Sequence, residues 1–233
     1  MKFDCRTHQG LVRQDNQDSV LCFSEIGLWG VADGMGGHRG GKTASSMAAE
    51  AMRNALRFAE FSKESIVRAV SYANKEIYYR QLREPELNGM GTTLSVIWEK
   101  DSTVMMAHVG DSRVYLMEKG ILRQISSDHS YVAELVRQGS MTKEEAKKST
   151  YRNVITRAVG TEPVVETDYL EWKPEKGSRF LICSDGLTEH VDDLFIQKAL
   201  SGMSLENAAE MLLAEALEKG GTDNITVVVT EVE

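Results

Sequence analysis

The stretch at residues 91–126, GTTLSVIWEKDSTVMMAHVGDSRVYLMEKGILRQIS, decides between the two architectures open to this chain. It holds four β-rich runs, at 92–98, 103–109, 113–117 and 121–125, separated by the short links EKDS, GDS and EKG. Links of two to four residues can join antiparallel strands but leave no room for crossover helices. The stretch therefore predicts an antiparallel meander and argues against a parallel βαβ sheet.

Working outward, the pattern upstream is helical. TASSMAAEAMRNALRFAEF, from Thr43, spaces Ala44, Met47, Ala48, Ala51, Met52, Ala55 and Leu56 at helical intervals. A second helix is predicted at about 62–84, with Ile66, Val67, Val70, Ala73, Ile77 and Leu82 on its apolar face and Pro85 as its stop. LWGVAD (28–33) is a buried strand stopped by Gly34. Downstream, SYVAELVRQGS ends at Gly139, and Thr142 and Glu145 form a capping box that opens a short polar helix. This charged insert, about 129–161, is predicted to be a flap near a site. ETDYLEW and RFLICSD then read as strands, followed by helices around 192–200 and 204–219 and a last strand, ITVVVT. The order fits a layered α+β sandwich.

Composition narrows the function. The chain has 233 residues, 42% hydrophobic and 27% charged, with a net charge of -8. Neither nucleic acid nor an anionic membrane is attracted to such a surface, so recognition of a phosphate would need local positive charge. Cys5, Cys22 and Cys183 are scattered without CxxC spacing and read as reduced thiols. The first residues lack the apolar segment of a signal peptide, and no apolar run approaches the ~18 residues of a spanning helix. The expectation is a cytoplasmic protein.

Three aspartates end apolar runs: Asp33 after GLWGVA, Asp185 after RFLICS, and Asp223 just before ITVVVT. Asp18 in RQDNQDSV and Asp128 in ISSDHS occupy similar edges. Hard oxygen donors without nearby Cys or paired His suit Mg²⁺ or Mn²⁺. Any one Asp-Gly pair is commonly just a turn, but three on strand ends make a shared cation the better account. A rival reading stays open beside it: GGHRGGKT (36–43) matches the phosphate-cradling P-loop pattern, which would make a nucleotidase with Asp185 as its second acid.

VRQDNQD, VADGMGGHRGG, GMGTT, HVGDSR, SSDHS, CSDGLTE and GGTDNIT occur in the order and rough spacing of the metal-dependent protein phosphatase 2C (PPM) family, across residues 13–226. The chain most resembles the compact bacterial members. The resemblance implies one PPM-type domain over 1–233, a four-layer α-β-β-α sandwich with two facing, mainly antiparallel sheets. It also implies a binuclear Mn²⁺ or Mg²⁺ centre at one sheet edge. Asp33 would bridge both metals, the Gly34 carbonyl would bind one, and Asp185 and Asp223 would bind the other. Asp18 would hold metal-bound waters, Asp128 would help a third metal, and Arg13 would grip the phosphate with its planar fork. A metal-activated water would then hydrolyse phosphoserine or phosphothreonine on proteins, opposing a bacterial Ser/Thr kinase, with the enzyme a monomer.

The match has departures. Met35 stands where some members carry a His after the Asp-Gly pair, which leaves His38 as a candidate proton donor, and Gln17 replaces a Glu before Asp18. Asp111 in HVGDSR reads as a structural turn residue, and Lys42 as a surface residue at a helix start. A non-catalytic phosphoprotein-binding relative is a second alternative, but such a relative is expected to lose the carboxylates that are present here.

Overall fold

A computed structural model describes residues 1–36 and 40–233. Its strands form two five-stranded sheets and one small ladder, with all neighbouring strands antiparallel. The first sheet runs Lys2–His8, Ile225–Glu231, Arg179–Cys183, Arg113–Glu118, Ile121–Gln124. The second runs Asp168–Trp172, Thr103–Val109, Leu94–Lys100, Leu28–Ala32, Ser19–Phe23.

The central stretch does form strands, but they are not one meander. Leu94–Lys100 and Thr103–Val109 make a hairpin in the second sheet, whereas Arg113–Glu118 and Ile121–Gln124 make a hairpin in the first. Gly110-Asp111-Ser112 carries the chain between the sheets. Facing sheets lie only about 10 Å apart, so three residues suffice to cross. Gly110 makes the sharp exit with φ +111, and a Cβ there would stand 2.6 Å from the Thr93 side chain. The first predicted run is split as well. Gly91–Thr92 pairs with Gly34–Met35 in the separate ladder, and Thr93 turns aside to bond Asp33.

Three apolar layers hold the sandwich. Trp29, Val31, Ile97 and Met106 of the second sheet interlock with Val114, Phe180, Ile182 and Val228 of the first. Helices Gly40–Leu56 and Lys63–Arg83 bury Ala48, Met52, Ile66 and Ile77 against the outer face of the second sheet. Helices Asp193–Leu200 and Leu205–Glu218 do the same for the first, through Ile196, Leu200, Leu212 and Ala216. The architecture is the four-layer α-β-β-α sandwich.

Helix starts follow capping chemistry. The side chains of Ser62, Asp192 and Ser204 accept from the backbone N–H three residues on, satisfying a donor that the first turn leaves open. Thr142 and Glu145 make the reciprocal box that opens Lys143–Lys148. Two edge strands, Lys2–His8 and Ser19–Phe23, went unassigned from sequence. KFDCRTH keeps charged residues among its outward positions and carries no long apolar run.

Candidate metal centre

The site forms where the strand ends Ala32 and Cys183 and the start of the strand Ile225–Glu231 come together. Asp33 is fixed through its backbone. Its N–H donates to Thr93 Oγ1 (2.9 Å), and its carbonyl accepts from Thr93 N–H (2.8 Å) and Thr92 Oγ1 (2.9 Å). Behind it, a Cβ on Gly34 would fall 2.1 Å from the Gly41 carbonyl oxygen and 2.7 Å from that of Gln17. The glycine is therefore required for this close approach. Gly186 plays the same part behind Asp185, since its Cβ would meet the Asn224 carbonyl oxygen at 2.1 Å.

Asn224 ties the loop after the first strand to this edge. Its amide donates to the carbonyls of Gln9 and Asp15, both at 2.9 Å, and its side-chain oxygen accepts from Gln17 N–H at 2.9 Å. That loop delivers Arg13 and Asp18. Arg13 Nη2 donates to Asp223 Oδ2 at 2.6 Å. Asp18 lies beneath, 2% exposed, accepting from Ser184 Oγ (2.9 Å) and Thr226 Oγ1 (2.6 Å) and meeting the Asp33 carboxylate.

The electrostatics are those of crowded acids. Burial pushes the Asp33 carboxyl well above its ordinary range, and the negative charges of Asp18, Asp185, Asp111 and Asp223 push it further. Asp185 is raised in the same direction, first by burial and then by Asp111, Asp223, Glu189 and Asp18. Asp18 is raised chiefly by burial, with the Thr226 and Ser184 hydroxyls opposing. Without a counter-charge such a group holds protons; a cation relieves it.

The donor set fits a hard divalent ion. Among the described residues, Oδ1 of Asp18 and Oδ1 of Asp185 are buried without a hydrogen-bond partner, and the carboxylates of Asp18 and Asp33 lie close enough to interact directly. Among the described residues, no group of three or more Asp, Glu, His or Cys side chains is by itself arranged to hold a metal ion. The carboxylates gathered here are hard oxygen donors, the kind that Mg²⁺ and Mn²⁺ take in ones and twos while keeping several waters.

The family model that matches residues 5–219 is that of protein phosphatase 2C. The chain belongs to the protein phosphatase 2C family. Among its relatives, the serine/threonine phosphatase stp of Listeria monocytogenes is 38% identical over 241 residues, covering 99% of this chain and 96% of that protein. The serine/threonine protein phosphatase PstP of Mycobacterium tuberculosis is 38% identical over all of this chain, which spans 45% of that longer protein. The crystal structure of the latter phosphatase superposes with a TM-score of 0.93 at 37% identity, covering 100% of this chain and 98% of that one. A structure of the PstP catalytic domain in complex with two manganese ions gives 0.91 at 36%, with the same coverage.

Within this phosphatase 2C chain, the structure gathers Arg13, Asp18, Asp33, Gly34, Asp185 and Asp223 at one edge. Asp128 is engaged elsewhere. Arg113 Nε and Nη2 grip its carboxylate at 2.7–3.1 Å, and Gln124 donates to Oδ1 at 2.7 Å. A third cation beside Asp128 would have to displace Arg113. His38 lies outside the described residues. Asp111, read from sequence as a turn residue, stands at the sheet crossover, 8% exposed and within the field of both Asp33 and Asp185. Burial, then Asp128, raises its own carboxyl to about 7. The sequence carries no signal for it, because a GDS link looks the same in a hairpin as in a crossing between sheets. Lys42 is exposed at the start of the helix Gly40–Leu56, as expected, and its Nζ donates to the Asp18 carbonyl at 2.8 Å.

Proposed function

We infer that this chain is a metal-dependent protein serine/threonine phosphatase that hydrolyses phosphoserine and phosphothreonine on proteins. The observation that carries the reading is the convergence of Asp18, Asp33, Asp185 and Asp223, with unsatisfied buried oxygens, beside the exposed guanidinium of Arg13. The cofactors are two Mn²⁺ or Mg²⁺ ions. Asp33, the Gly34 carbonyl, Asp185 and Asp223 are the groups that would hold them. Bound there, such ions activate a water at neutral pH and offset charge on the phosphoryl oxygens.

The chain's own groups do the rest. Arg13 presents a planar fork to two phosphoryl oxygens while Asp223 steadies it from behind. Ser184 and Thr226 hold one Asp18 oxygen, which leaves the other directed to the site. Asp111 contributes a further negative charge at the edge and is a candidate for a weaker third ion. His38 is retained as a candidate donor to the leaving oxygen. The segment 129–161, tied to the ladder by the Thr92–Val159 bridge, is read as a flap of a single domain.

Among the described residues, no helix is long and apolar enough to cross a membrane. We read the enzyme as cytoplasmic and monomeric, acting opposite a bacterial Ser/Thr kinase. The nucleotidase alternative loses its support because the two strands before 36–43, Leu28–Ala32 and Gly34–Met35, pair only antiparallel with their neighbours, whereas a P-loop leaves a parallel βαβ unit.

The test is release of inorganic phosphate from a phosphothreonine peptide with Mn²⁺, and its loss on adding EDTA. Absence of turnover from folded, Mn²⁺-loaded protein defeats the enzyme reading in favour of a non-catalytic phosphoprotein-binding role.

A further inference from the structure

Cys5 and Cys22 sit on the two strands that flank the loop carrying Arg13 and Asp18. Cys5 lies on Lys2–His8, at the edge of the first sheet, beside Val228; Cys22 lies on Ser19–Phe23, at the edge of the second, beside Trp29. Residues directly opposite in a ladder share a face. Val228 and Trp29 both belong to the inter-sheet core, and Cys5 and Cys22 pack against that same core. One pleat along the first strand, Phe3 reaches across to Trp29, with ring centroids 6.4 Å apart. The inward faces of the two edge strands thus meet, and each thiol is the group that most strongly perturbs the other. Both residues are only half-buried, so a small reagent has access from the open edge. Cys183, by contrast, is fully buried on the other face of the first sheet.

We propose that Cys5 and Cys22 are a redox-active dithiol whose oxidation staples the two sheets together and closes the loop of residues 6–21 that carries Arg13 and Asp18. Neither thiol belongs to the phosphate-hydrolysing machinery; together they set the span between the ends of the segment that delivers it.

The two thiols are unequal in the way such a pair requires. Interaction with Cys22 lowers the Cys5 thiol to about 7, while interaction with Cys5, and then burial, raises Cys22. Cys5 is therefore the attacking thiolate. It attacks one sulfur of a small-molecule disulfide such as glutathione disulfide, forming a mixed disulfide and releasing one thiolate. Cys22 then gives its proton to solvent and attacks the Cys5 Sγ, expelling the second thiolate. Two protein thiols are oxidised by two electrons, and one small-molecule disulfide is reduced to two thiols.

The full chain is equilibrated in glutathione buffers of increasing disulfide content, then denatured for thiol counting, intact mass and peptide mapping. The expected result is loss of two of the three thiols, a mass lower by two hydrogens, a Cys5–Cys22 linked peptide, and full reversal by dithiothreitol. Limited proteolysis within 9–17 slows several-fold in the oxidised form. Cys5→Ser and Cys22→Ser each form at most a single glutathione adduct and keep the wild-type rate of phosphate release. Stable adducts on the wild type, disulfide-linked dimers, or three free thiols in the most oxidising buffer would overturn the proposal. So would an internal disulfide that left loop proteolysis unchanged. Thiol state, mass and proteolysis do not depend on turnover, so their outcome is separable from that of the phosphatase assay.

Discussion

Arg13 Nη2 bonds Asp223 Oδ2 at 2.6 Å, so the residue assigned to phosphate and a carboxylate assigned to metal are in direct contact. The Arg13 side chain is still 56% exposed. One edge of the guanidinium is held and the rest remains open to an incoming phosphoryl group.

Replacing Arg13 with Ala removes a hydrogen bond to a charged group, worth about 1.5–3 kcal/mol. The Michaelis constant for a phosphopeptide is expected to rise about tenfold or more, with a smaller change in kcat. Steady-state kinetics in saturating Mn²⁺ check this. An unchanged KM would remove Arg13 from phosphate recognition.

Asp185 carries an unpartnered buried oxygen in a field of like charge. Asp185→Asn is expected to lower activity by at least about a hundredfold, on the scale of losses from disturbed metal ligation. The same change relieves repulsion, so the EDTA-treated variant should melt above EDTA-treated wild type. Adding Mn²⁺ should raise the melting temperature of wild type more than that of the variant. Equal responses to Mn²⁺ would count against Asp185 as a ligand.

His108 is fully buried, its Nδ1 2.8 Å from Ser95 Oγ and its Nε2 3.0 Å from the Ser127 carbonyl oxygen. Burial, with the His129 ring adding to it, lowers its pKa to about 4 from an ordinary 6.5. Between those values the unfolded chain binds more protons than the folded one. The stability present above pH 6.5 is therefore lost as pH falls towards 4. From this group alone, unfolding free energy should drop by about 2 kcal/mol between pH 7 and pH 5. Denaturant titrations of wild type and His108→Gln at both pH values isolate the effect; parallel losses would show that His108 is not its source.

Gly186→Ala would place a Cβ 2.1 Å from the Asn224 carbonyl oxygen. Two backbone segments must then separate, and these are the segments that present Asp185 and Asp223. Destabilisation on the order of 1–3 kcal/mol is expected, as for other overpacked sites, together with weaker Mn²⁺ binding. Calorimetric titration of Mn²⁺ checks the second effect, and wild-type affinity would show that the spacing of the two segments is not critical.

Asp33, Asp185 and Asp223 were readable from sequence because each sits at an end of a strongly apolar run, and local pattern is enough to find such positions. The strands 103–109 and 113–118 were readable for the same reason. Their sheet membership was not. A three-residue link looks alike whether it closes a hairpin or passes between facing sheets, so the crossover at Gly110-Asp111-Ser112 was hidden, and the placement of Asp111 with it. Asp128 looks like another edge acid in the linear sequence. Its engagement depends on Arg113, fifteen positions earlier and brought to it by the strand pairing. Lys42 is the exposed helix-start residue that the sequence suggests; only its hydrogen bond to the Asp18 carbonyl, on a different loop, is invisible there. Lys2–His8 has no fully buried residue and Ser19–Phe23 only two, which leaves little periodic signal in five to seven residues.

The crossing of the chain from one sheet to the other at Asp111 also bears on how the enzyme comes into being. Arg13 and Asp18 follow the first strand, Asp33 follows a strand of the second sheet, and Asp185 and Asp223 lie just after one strand of the first sheet and just before another. No local fragment owns the site. It exists only once both sheets have paired and closed face to face, through contacts far apart along the chain, which form late and slowly. Recovery of catalysis after dilution from denaturant should therefore trail the return of helix and strand signals, making turnover a sensitive clock for the final docking event.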